Sequence, residues 1–255
     1  MKSRKLKIIH TSDWHLGQVF HAYERTGEHQ KFLDWLLSEL KTRQPDALLI
    51  AGDIFEHANP SGRAQTMFYA FLSHARKACP SMDMAIIAGN HDSAARLEAP
   101  NPILSGLGIH VVGQLDGDEA PGRSLIPLHH ADGTVGAWCL GVPFLRAGDV
   151  PRSDGEGDPY PRGIAETYRR HVDAALGKRD KNQALIAMGH LHAQVEELAG
   201  RYGPVDIFWW DYSAIDFQGE EAWRAFELIE NVRARQPRVV MNNRLFLKPE
   251  AGWRT

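Results

Sequence analysis

Four apolar runs in this chain are each followed by a short turn rich in carboxylate, amide and imidazole side chains. The runs cover residues 6–11, 47–51, 84–88 and 184–188. The turns are Ser-Asp-Trp-His at 12–15, Gly-Asp-Ile-Phe-Glu at 52–56, Gly-Asn-His-Asp at 89–92 and Gly-His-Leu-His at 189–192. Continuous apolar runs of this kind are typical of strands that are buried on both faces of a sheet. Because binding crevices in open α/β sheets lie at the carboxyl ends of the strands, we expect the four turns to converge.

The side chains in these turns suit a pair of divalent metal ions. Asp13 and His15 are two residues apart, so they point to the same side if strand geometry persists, and both can bind one ion. Asp53 follows a glycine that lets the backbone approach closely, and a carboxylate at this position can bridge two ions. Asn90 offers a carbonyl oxygen and His190 an imidazole nitrogen. This mixed nitrogen and oxygen ligand set suits manganese, iron or zinc, and it differs from the sulfur ligands of a thiolate site.

Helical periodicity in three other segments predicts the helices that cover the sheet. Residues 29–41 place Phe32 and several leucines on one face, and residues 61–78 form a second helix with Ser61 as its N-cap. A third helix is expected around residues 164–176. The stretch before it, residues 147–163, is rich in Gly, Pro, Asp and Arg and is expected to be a surface loop. The pattern as a whole indicates an α/β fold.

Three of the turns lie within longer strings that resemble a known enzyme family. The strings are His-Thr-Ser-Asp-Trp-His-Leu-Gly-Gln at 10–18, Ala-Gly-Asp-Ile-Phe at 51–55 and Ala-Gly-Asn-His-Asp-Ser at 88–93. In this order they resemble the calcineurin-type metallophosphoesterases, and among these the SbcD-type nuclease subunits. The resemblance covers roughly residues 5–197 and implies an α/β/β/α sandwich with a two-metal site. It implies manganese as the metal, with magnesium, iron or zinc as alternatives.

The resemblance also implies separate roles for the polar residues of the turns. It places His91 beside the metal ligand Asn90, as the catalytic group that stabilises or protonates the leaving oxygen. The implied metal ligands in the first three turns are Asp13, His15, Asp53 and Asn90. We expect Glu56 and Asp92 to support or cap neighbouring groups rather than to bind metal.

The implied activity is metal-dependent hydrolysis of phosphodiester bonds in DNA. The implied partners are DNA, an SbcC-type ATPase subunit and a second copy of the chain. In the nuclease family, helices near the second predicted helix contribute to the homodimer, so the apolar stripe of that helix is either core or interface. The stripe consists of Met67, Phe68, Phe71 and Leu72. Core is the default for an apolar helical stripe.

The fourth turn contains two histidines and allows two assignments. Its Gly-His-Leu-His pattern matches the closing motif of the family, whereas its distance along the chain from Asn90 suits an earlier metal-binding histidine. We favour the earlier position, which assigns His190 to the second metal together with Asp53 and Asn90. His192 then binds metal only as a substitute, and the histidines that complete both metal shells are expected to be absent.

The sequence changes character after about residue 200. Two stretches resemble part of the α-L-fucosidases that have a (βα)8 barrel, namely residues 202–213 and 236–245. In that resemblance Asp211 stands where those enzymes have their nucleophile. Apolar periodicity predicts a βαβ unit, with a strand at 205–210, a helix at 220–235 and a strand at 238–242.

We therefore expect two parts in the chain. Residues 1–199 form an incomplete metallophosphoesterase domain, and residues 200–255 form a βαβ segment of foreign character. A retaining glycosidase needs a second carboxyl group, which a barrel fragment cannot supply, so no fucosidase activity is expected. Two other functions stay open, a small-molecule metallophosphoesterase and a non-catalytic fusion product.

Composition limits where the protein works and how it binds. The net charge of −3 argues against binding of nucleic acid by charge alone. Cys79 and Cys139 lack the spacing of a metal or redox site. The chain has neither a signal-peptide pattern nor an apolar run of the ~20 residues that span a bilayer. We therefore expect a cytoplasmic protein that is not embedded in a membrane.

Overall fold

The computed structural model describes residues 5–115, 121–151 and 159–191. It also describes four short pieces, at 207–208, 229–230, 232–234 and 240–241. The chain divides into two compact units. The first unit consists of Met1–Pro151 with Arg170–Leu191, and the second consists of Arg152–Arg169 with His192–Thr255.

The described residues form eleven strands, five helices and two short 3-10 turns. The strands are β1 (Ile8–Thr11), β2 (Val19–Phe20), β3 (Tyr23–Glu24), β4 (Ala47–Ala51), β5 (Asp83–Ile87), β6 (Ile109–Val112), β7 (Leu125–His129), β8 (Val135–Val142), β9 (Ala184–Gly189), β10 (Ile207–Phe208) and β11 (Val240–Met241). The helices are α1 (Thr26–Arg43), α2 (Gly62–Ala78), α3 (Ala94–Glu98), α4 (Asn101–Leu104) and α5 (Pro159–Lys178). The 3-10 turns are Ser105–Leu107 and Gly122–Ser124.

The first sheet is parallel throughout and has the strand order β1-β4-β5-β6. Helix α1 connects β1 to β4, and helix α2 connects β4 to β5, which are the crossovers that parallel strands require. The two central strands β4 and β5 are buried along their whole length, as predicted. Strand β1 is only half-buried because it lies at the edge of the sheet, so the prediction of burial on both faces is wrong for it. The predicted α/β fold is confirmed.

The two faces of this sheet pack against different layers. Along β4, Leu48 and Ile50 belong to the core shared with α1 and α2. Leu49 and Ala51 point the other way, into a second core that includes Ile126 on β7. This alternation is the period-2 pattern of a strand, and it places helices on one face and another sheet on the opposite face.

The second sheet has the order β7-β8-β9, with β7 antiparallel to β8 and β9 parallel to β8. The fourth apolar run of the sequence thus lies in this sheet, and not beside β5. Strand β9 is an edge strand with exposed alanines, so the prediction of burial on both faces is wrong for it. The end of α5 lies against this sheet, where the Lys178 ammonium is 5.3 Å from the centre of the Trp138 ring.

Helices α1 and α2 confirm the first two helix predictions. Ser61 caps α2 as predicted, since its side-chain oxygen accepts a hydrogen bond from the Ala64 N–H. In the stripe of α2, Phe68, Phe71 and Leu72 are buried within the chain itself, so the core assignment is confirmed for them. Met67 is partly buried against the same core. No helix in the described part of the chain is long and apolar enough to cross a membrane.

Helix α5 begins earlier than the sequence pattern indicates. The pattern predicts that residues 159–163 end a loop, but the helix starts at Pro159. Proline is tolerated in the first turn of a helix, because the N–H groups there have no partner within the helix. Pro159 and Pro161 therefore mark a helix start, and the loop prediction is wrong for these residues.

The second unit contains β10 and β11, which pair in parallel with Ile207 opposite Val240. Between them, residues 229–230 and 232–234 are helical, and Ile229 and Val232 are buried. These elements lie where the sequence predicts a βαβ unit. Asp211 lies outside the described residues.

Candidate metal centre

The predicted ligands gather at one edge of the two sheets. Asp13 and Asp53 follow the carboxyl ends of β1 and β4, and Asn90 follows the end of β5. His190 comes directly after β9. Although β9 lies in the second sheet, its end meets the first sheet at the same edge, since the His190 Nδ1 atom is 2.9 Å from the Ala51 carbonyl oxygen.

The turns after β1 and β4 adopt left-handed backbone conformations at three polar residues. The φ angles are 56° for Asp13, 46° for His15 and 49° for Asp53. Strand geometry therefore does not persist past Thr11. The prediction that the alternation of a strand puts Asp13 and His15 on one side is wrong, although the two side chains do face each other. Backbone bonds hold the two turns together, from the Asp13 N–H to the Gly52 oxygen and from the His15 N–H to the Asp53 oxygen. Left-handed non-glycine residues are costly and cluster at functional sites.

Two glycines let the strand ends approach closely enough to form the site. Gly52 has a φ of 90°, and a Cβ there would lie 2.6 Å from His190 Nδ1. A Cβ on Gly89 would overlap both the carboxylate and the backbone nitrogen of Asp53. The close approach that the sequence predicts for Gly52 is confirmed.

Gly89→Ala is expected to push the Asp53 carboxylate out of place. We expect the free energy of unfolding to fall by about 1–3 kcal/mol, the usual cost of overpacking, and metal affinity to fall with it. Urea unfolding and calorimetric metal titration measure the two effects. Gly27→Ala is the control, because a Cβ at this position of α1 meets nothing within 4 Å. Wild-type metal affinity in Gly89→Ala would contradict the proposed role of this contact.

His190 presents one ring nitrogen to the site. Its Nδ1 donates to the Ala51 carbonyl in the neutral tautomer, and this leaves the Nε2 lone pair pointing inward. Nε2 lies 3.0 Å from the Asn90 side-chain oxygen and 3.5 Å from Asp53 Oδ2. Burial lowers the pKa of His190, but hydrogen bonding and charge from Asp53 outweigh it and raise the pKa to about 9. The site thus favours a positive charge at this point, either a proton or a metal ion.

The Asp53 carboxylate lies at the centre of the cluster. Its Oδ2 is 3.5 Å from His190 Nε2 and 3.6 Å from His15 Nε2, and its Oδ1 accepts a 2.9 Å hydrogen bond from the His91 N–H. Burial raises the pKa of Asp53, but the hydrogen bonds from His190 and His91 prevail and hold it below its usual range. The carboxylate is therefore ionised and shared between two sides of the site.

His15 lies on the other side of Asp53. Its Nε2 is 3.7 Å from Asp13 Oδ1, and its Nδ1 is 2.9 Å from Glu56 Oε2. Hydrogen bonding to Asp13 raises the pKa of His15 against the opposing effect of burial, and the charges of Asp53 and Glu56 add to the rise. Glu56 therefore forms an ion pair with His15 when the imidazole is protonated.

His91 is adjacent to this side of the site. Its ring centre lies 4.9 Å from that of His15, with the rings edge to face. Its Nδ1 is 2.8 Å from the Glu56 carbonyl oxygen, so Nδ1–H donates there. The backbone N–H of the same residue binds Asp53. His91 is therefore held at two points, its backbone N–H and its Nδ1.

Asp92 is fully buried, and its carboxylate binds backbone N–H groups. Its two oxygens accept hydrogen bonds from the backbone N–H groups of Ile54, Phe55 and Gly89, at 2.9–3.2 Å. Burial raises the pKa of Asp92, and these three bonds act in the opposite direction. The residue joins the turn after β4 to the turn after β5.

Asp92→Ala is expected to lower the free energy of unfolding by about 3 kcal/mol or more, because it leaves three buried N–H groups without their acceptor. Thermal or urea unfolding measures the loss. The matched control is Asp149→Ala, which removes an exposed carboxylate that accepts from one backbone N–H, that of Arg146, at 2.8 Å. Water replaces that bond, so the control should cost less than about 1 kcal/mol. Equal losses in the two variants would contradict the joining role.

The structure brings together six of the seven residues named as site residues from the sequence. They are Asp13, His15, Asp53, Asn90, His91 and His190. His192 lies outside the described residues. Sequence reasoning missed two contributors, the Ala51 carbonyl that orients His190 and Phe144, whose ring centre is 6.2 Å from that of His190. A backbone carbonyl leaves no sequence signal, whereas Phe144 lies in the Gly-Val-Pro-Phe-Leu-Arg segment at 141–146, which also resembles the family.

The donor atoms fit divalent metal ions. Two groups have donor atoms within 4.8 Å of one another, one formed by Asp13, Asp53 and His190 and the other by His15, Glu56 and His91. His15 lies next to both groups, since its Nε2 is also close to Asp13 and Asp53. Carboxylate oxygens with imidazole nitrogens and no sulfur suit manganese, iron, zinc or magnesium.

Two curated relatives are similar to most of this chain. The chain is 45% identical over 195 residues to the SbcD component of the SbcCD nuclease of Rhodobacter capsulatus, an alignment that covers 73% of this chain and 48% of that protein. It is 36% identical over 193 residues to the SbcD component from Escherichia coli K12, covering 73% of this chain and 46% of that protein. The chain thus spans about half the length of these curated relatives.

The family model of the calcineurin-like phosphoesterases matches residues 6–234. The match includes all the residues of the candidate site. It also extends past residue 199, over much of the segment that resembles an α-L-fucosidase, so the comparisons do not support a fusion. With most of its length matched, the chain belongs to the calcineurin-like phosphoesterase family.

Proposed function

We propose that this chain is the phosphoesterase part of an SbcD-type nuclease subunit, which hydrolyses phosphodiester bonds in DNA with divalent metal ions. The observation that carries the proposal is the position of the Asp53 carboxylate, whose Oδ2 lies between His15 Nε2 and His190 Nε2 at 3.6 and 3.5 Å. Two-metal hydrolases need one anion shared between two sets of ligands. The relatives are named as components of a nuclease, SbcCD, which supports a nucleic acid as the substrate.

Asp13 and His15 would hold one ion with Asp53, and Asn90 and His190 would hold the other with the same carboxylate. We propose manganese as the metal, with magnesium, iron or zinc as alternatives. When bound, such ions polarise the phosphoryl group and lower the pKa of water to give a nucleophile. His192 is proposed as a substitute ligand only. The chain itself supplies the orientation, because the Ala51 carbonyl holds the His190 ring in place.

We propose that His91 is the catalytic residue that assists departure of the leaving oxygen. Its Nδ1 hydrogen bond to the Glu56 carbonyl fixes the ring, and in the imidazolium form Nε2–H can donate to the oxygen that gains negative charge. The backbone N–H of His91 binds Asp53 at 2.9 Å, which ties the position of this group to the central carboxylate.

The resemblance further leads us to propose an SbcC-type ATPase subunit as a partner, a homodimer as the assembly, and the cytoplasm as the location. The relatives are each named as one component of the SbcCD nuclease, which supports a partner protein. The net charge of −3 is consistent with DNA binding that depends on such a partner or on local groups.

For the C-terminal part we propose a βαβ segment at 200–255 that follows a metallophosphoesterase domain at 1–199. Its support is the parallel pairing of β10 with β11. We propose that this segment has no glycosidase activity, because the resemblance supplies one carboxyl group, that of Asp211, where two are needed. Hydrolysis of an aryl fucoside that disappears in Asp211→Ala would overturn this.

The function is tested with three substrates at once. End-labelled duplex DNA, bis(p-nitrophenyl) phosphate and a cyclic nucleotide are each incubated with the protein in Mn²⁺ and in EDTA. Cleavage of DNA that requires Mn²⁺ supports the proposal. Hydrolysis of the small substrates without DNA cleavage selects a small-molecule metallophosphoesterase instead. Absence of both hydrolysis and calorimetric Mn²⁺ binding selects a non-catalytic fusion product.

A further inference from the structure

A hairpin with exposed aromatic side chains begins four residues after His15. We call residues 19–24 the aromatic hairpin; it consists of β2, a two-residue turn and β3. Its apolar side chains are unusually open to solvent, with exposed fractions of 54% for Val19, 64% for Phe20 and 79% for Tyr23. Phe20 and Tyr23 lie directly opposite each other in the register of the two strands.

The aromatic hairpin is anchored to the turn that carries His15. The Gln18 N–H donates to the His15 carbonyl at 3.0 Å, and the Arg25 N–H donates to the Gln18 carbonyl at 3.2 Å. The Arg25 side chain also hydrogen-bonds the Gln18 side chain. Both ends of the hairpin are therefore fastened beside the metal centre.

The tip of the aromatic hairpin is strained. His21 and Ala22 have φ angles of 46° and 67°. A two-residue turn with two left-handed residues normally uses glycine or asparagine, which adopt this conformation at less cost. The strained turn places Phe20 opposite Tyr23, although neither side chain is buried. Strain that is not offset by burial indicates a functional constraint.

The size of this surface decides between two kinds of partner. A stable protein interface buries roughly 800 Å² on each partner, which three side chains cannot provide. A nucleic acid base, in contrast, needs only one aromatic ring to stack on, and stacking is tolerant of sequence because every base has a π-face. The hairpin is joined through Gln18 to the turn that carries His15, so both rings lie only a few residues along the chain from the metal centre.

We propose that Phe20 and Tyr23 form a stacking platform for unpaired bases of the DNA strand that enters the metal centre. This inference rests on the proposed nuclease function and adds a preference for single-stranded or frayed ends over intact duplex. Stacking releases no counterions, so the platform contributes to affinity without changing its dependence on salt.

The test is the affinity of the full chain for a fluorescent single-stranded oligonucleotide and a blunt duplex, measured by anisotropy with Ca²⁺ in place of Mn²⁺. Phe20→Ala and Tyr23→Ala should each weaken single-strand binding by about 5- to 100-fold. Duplex binding should change little, and the slope of affinity against salt should stay the same. Tyr23→Phe should bind like the wild type, whereas Tyr23→Leu should not.

Two controls show that the site remains intact. Hydrolysis of bis(p-nitrophenyl) phosphate and Mn²⁺ binding should be unchanged in the hairpin variants. Ile103→Ala removes a comparably exposed apolar side chain, 72% exposed, from α4 beside β6 at the far edge of the first sheet, and should not affect DNA binding.

Wild-type single-strand affinity in the Phe20→Ala/Tyr23→Ala double variant would overturn the platform while leaving the nuclease proposal standing. A loss of oligomers by light scattering, with DNA affinity unchanged, would make the hairpin a protein interface and also overturn it. If the wild-type chain neither binds nor cuts DNA but hydrolyses small phosphoesters, the nuclease function itself fails.

Discussion

Replacing Asp53 with asparagine is expected to remove both metal binding and hydrolysis while the chain stays folded. The amide keeps the size of the side chain and still offers an oxygen to the His91 N–H, but it removes the charge that lies between His15 and His190. Substituting a group that merely orients a ligand costs roughly 10–100-fold in metal affinity, and a shared ligand should cost more. Mn²⁺ titration by calorimetry and steady-state hydrolysis measure the two losses.

Asp34→Asn is the matched control for Asp53→Asn. Asp34 lies on α1, where its carboxylate accepts a 2.9 Å hydrogen bond from Gln30 on the exposed surface. The same change of chemistry there should leave metal affinity and hydrolysis at their wild-type values. If Asp53→Asn still binds two ions as tightly as the wild type, then Asp53 is not shared between metals and the proposed arrangement is wrong.

The arrangement of the first sheet could be predicted because its signals are local. The run at 47–51 coincides with β4, and Ser61 caps α2 as its sequence position indicates. The rule that parallel strands present ligands at their carboxyl ends then brings Asp13, Asp53 and Asn90 to one edge. These inferences need only hydrophobic periodicity and one topological rule.

The details of the site could not be predicted, because they depend on contacts between distant parts of the chain. The Ala51 carbonyl orients His190, which lies 139 residues further along the chain. Asp92 receives two of its three hydrogen bonds from the turn after β4. The left-handed conformations of Asp13 and His15 replace the strand geometry that the sequence suggests. Local propensity favours extended or right-handed backbone for such residues, so tertiary contacts decide here.

The position of β9 in the second sheet shows the same limit. The apolar run at 184–188 predicts a strand but does not say which sheet it joins, and it lies beside β8 as an edge strand. Similarly, the prolines at the start of α5 are compatible with a loop and equally with the first turn of a helix. The apolar run therefore predicts a strand buried on both faces where the protein has an edge strand. The prolines predict a loop where the protein has the first turn of a helix.

His91→Ala is expected to lower the rate of DNA hydrolysis by about 10²- to 10⁴-fold while metal binding persists, the usual contribution of a general acid. None of the ligands proposed above is removed, and the backbone N–H that binds Asp53 remains. The loss should depend on the leaving group. A sugar alkoxide is strongly basic and needs a proton, whereas a nitrophenolate is a good leaving group without one.

The decisive measurement is therefore the ratio of two losses in the same variant. His91→Ala should impair cleavage of end-labelled DNA far more than hydrolysis of bis(p-nitrophenyl) phosphate, with the same Mn²⁺ stoichiometry by calorimetry in the variant and the wild type. His74→Ala serves as the control, because this exposed histidine of α2 lies outside the cluster. Equal losses on both substrates would mean that His91 does not assist the leaving group. Loss of bound metal would make it a ligand, since its ring stands within 4.8 Å of the donors of His15 and Glu56.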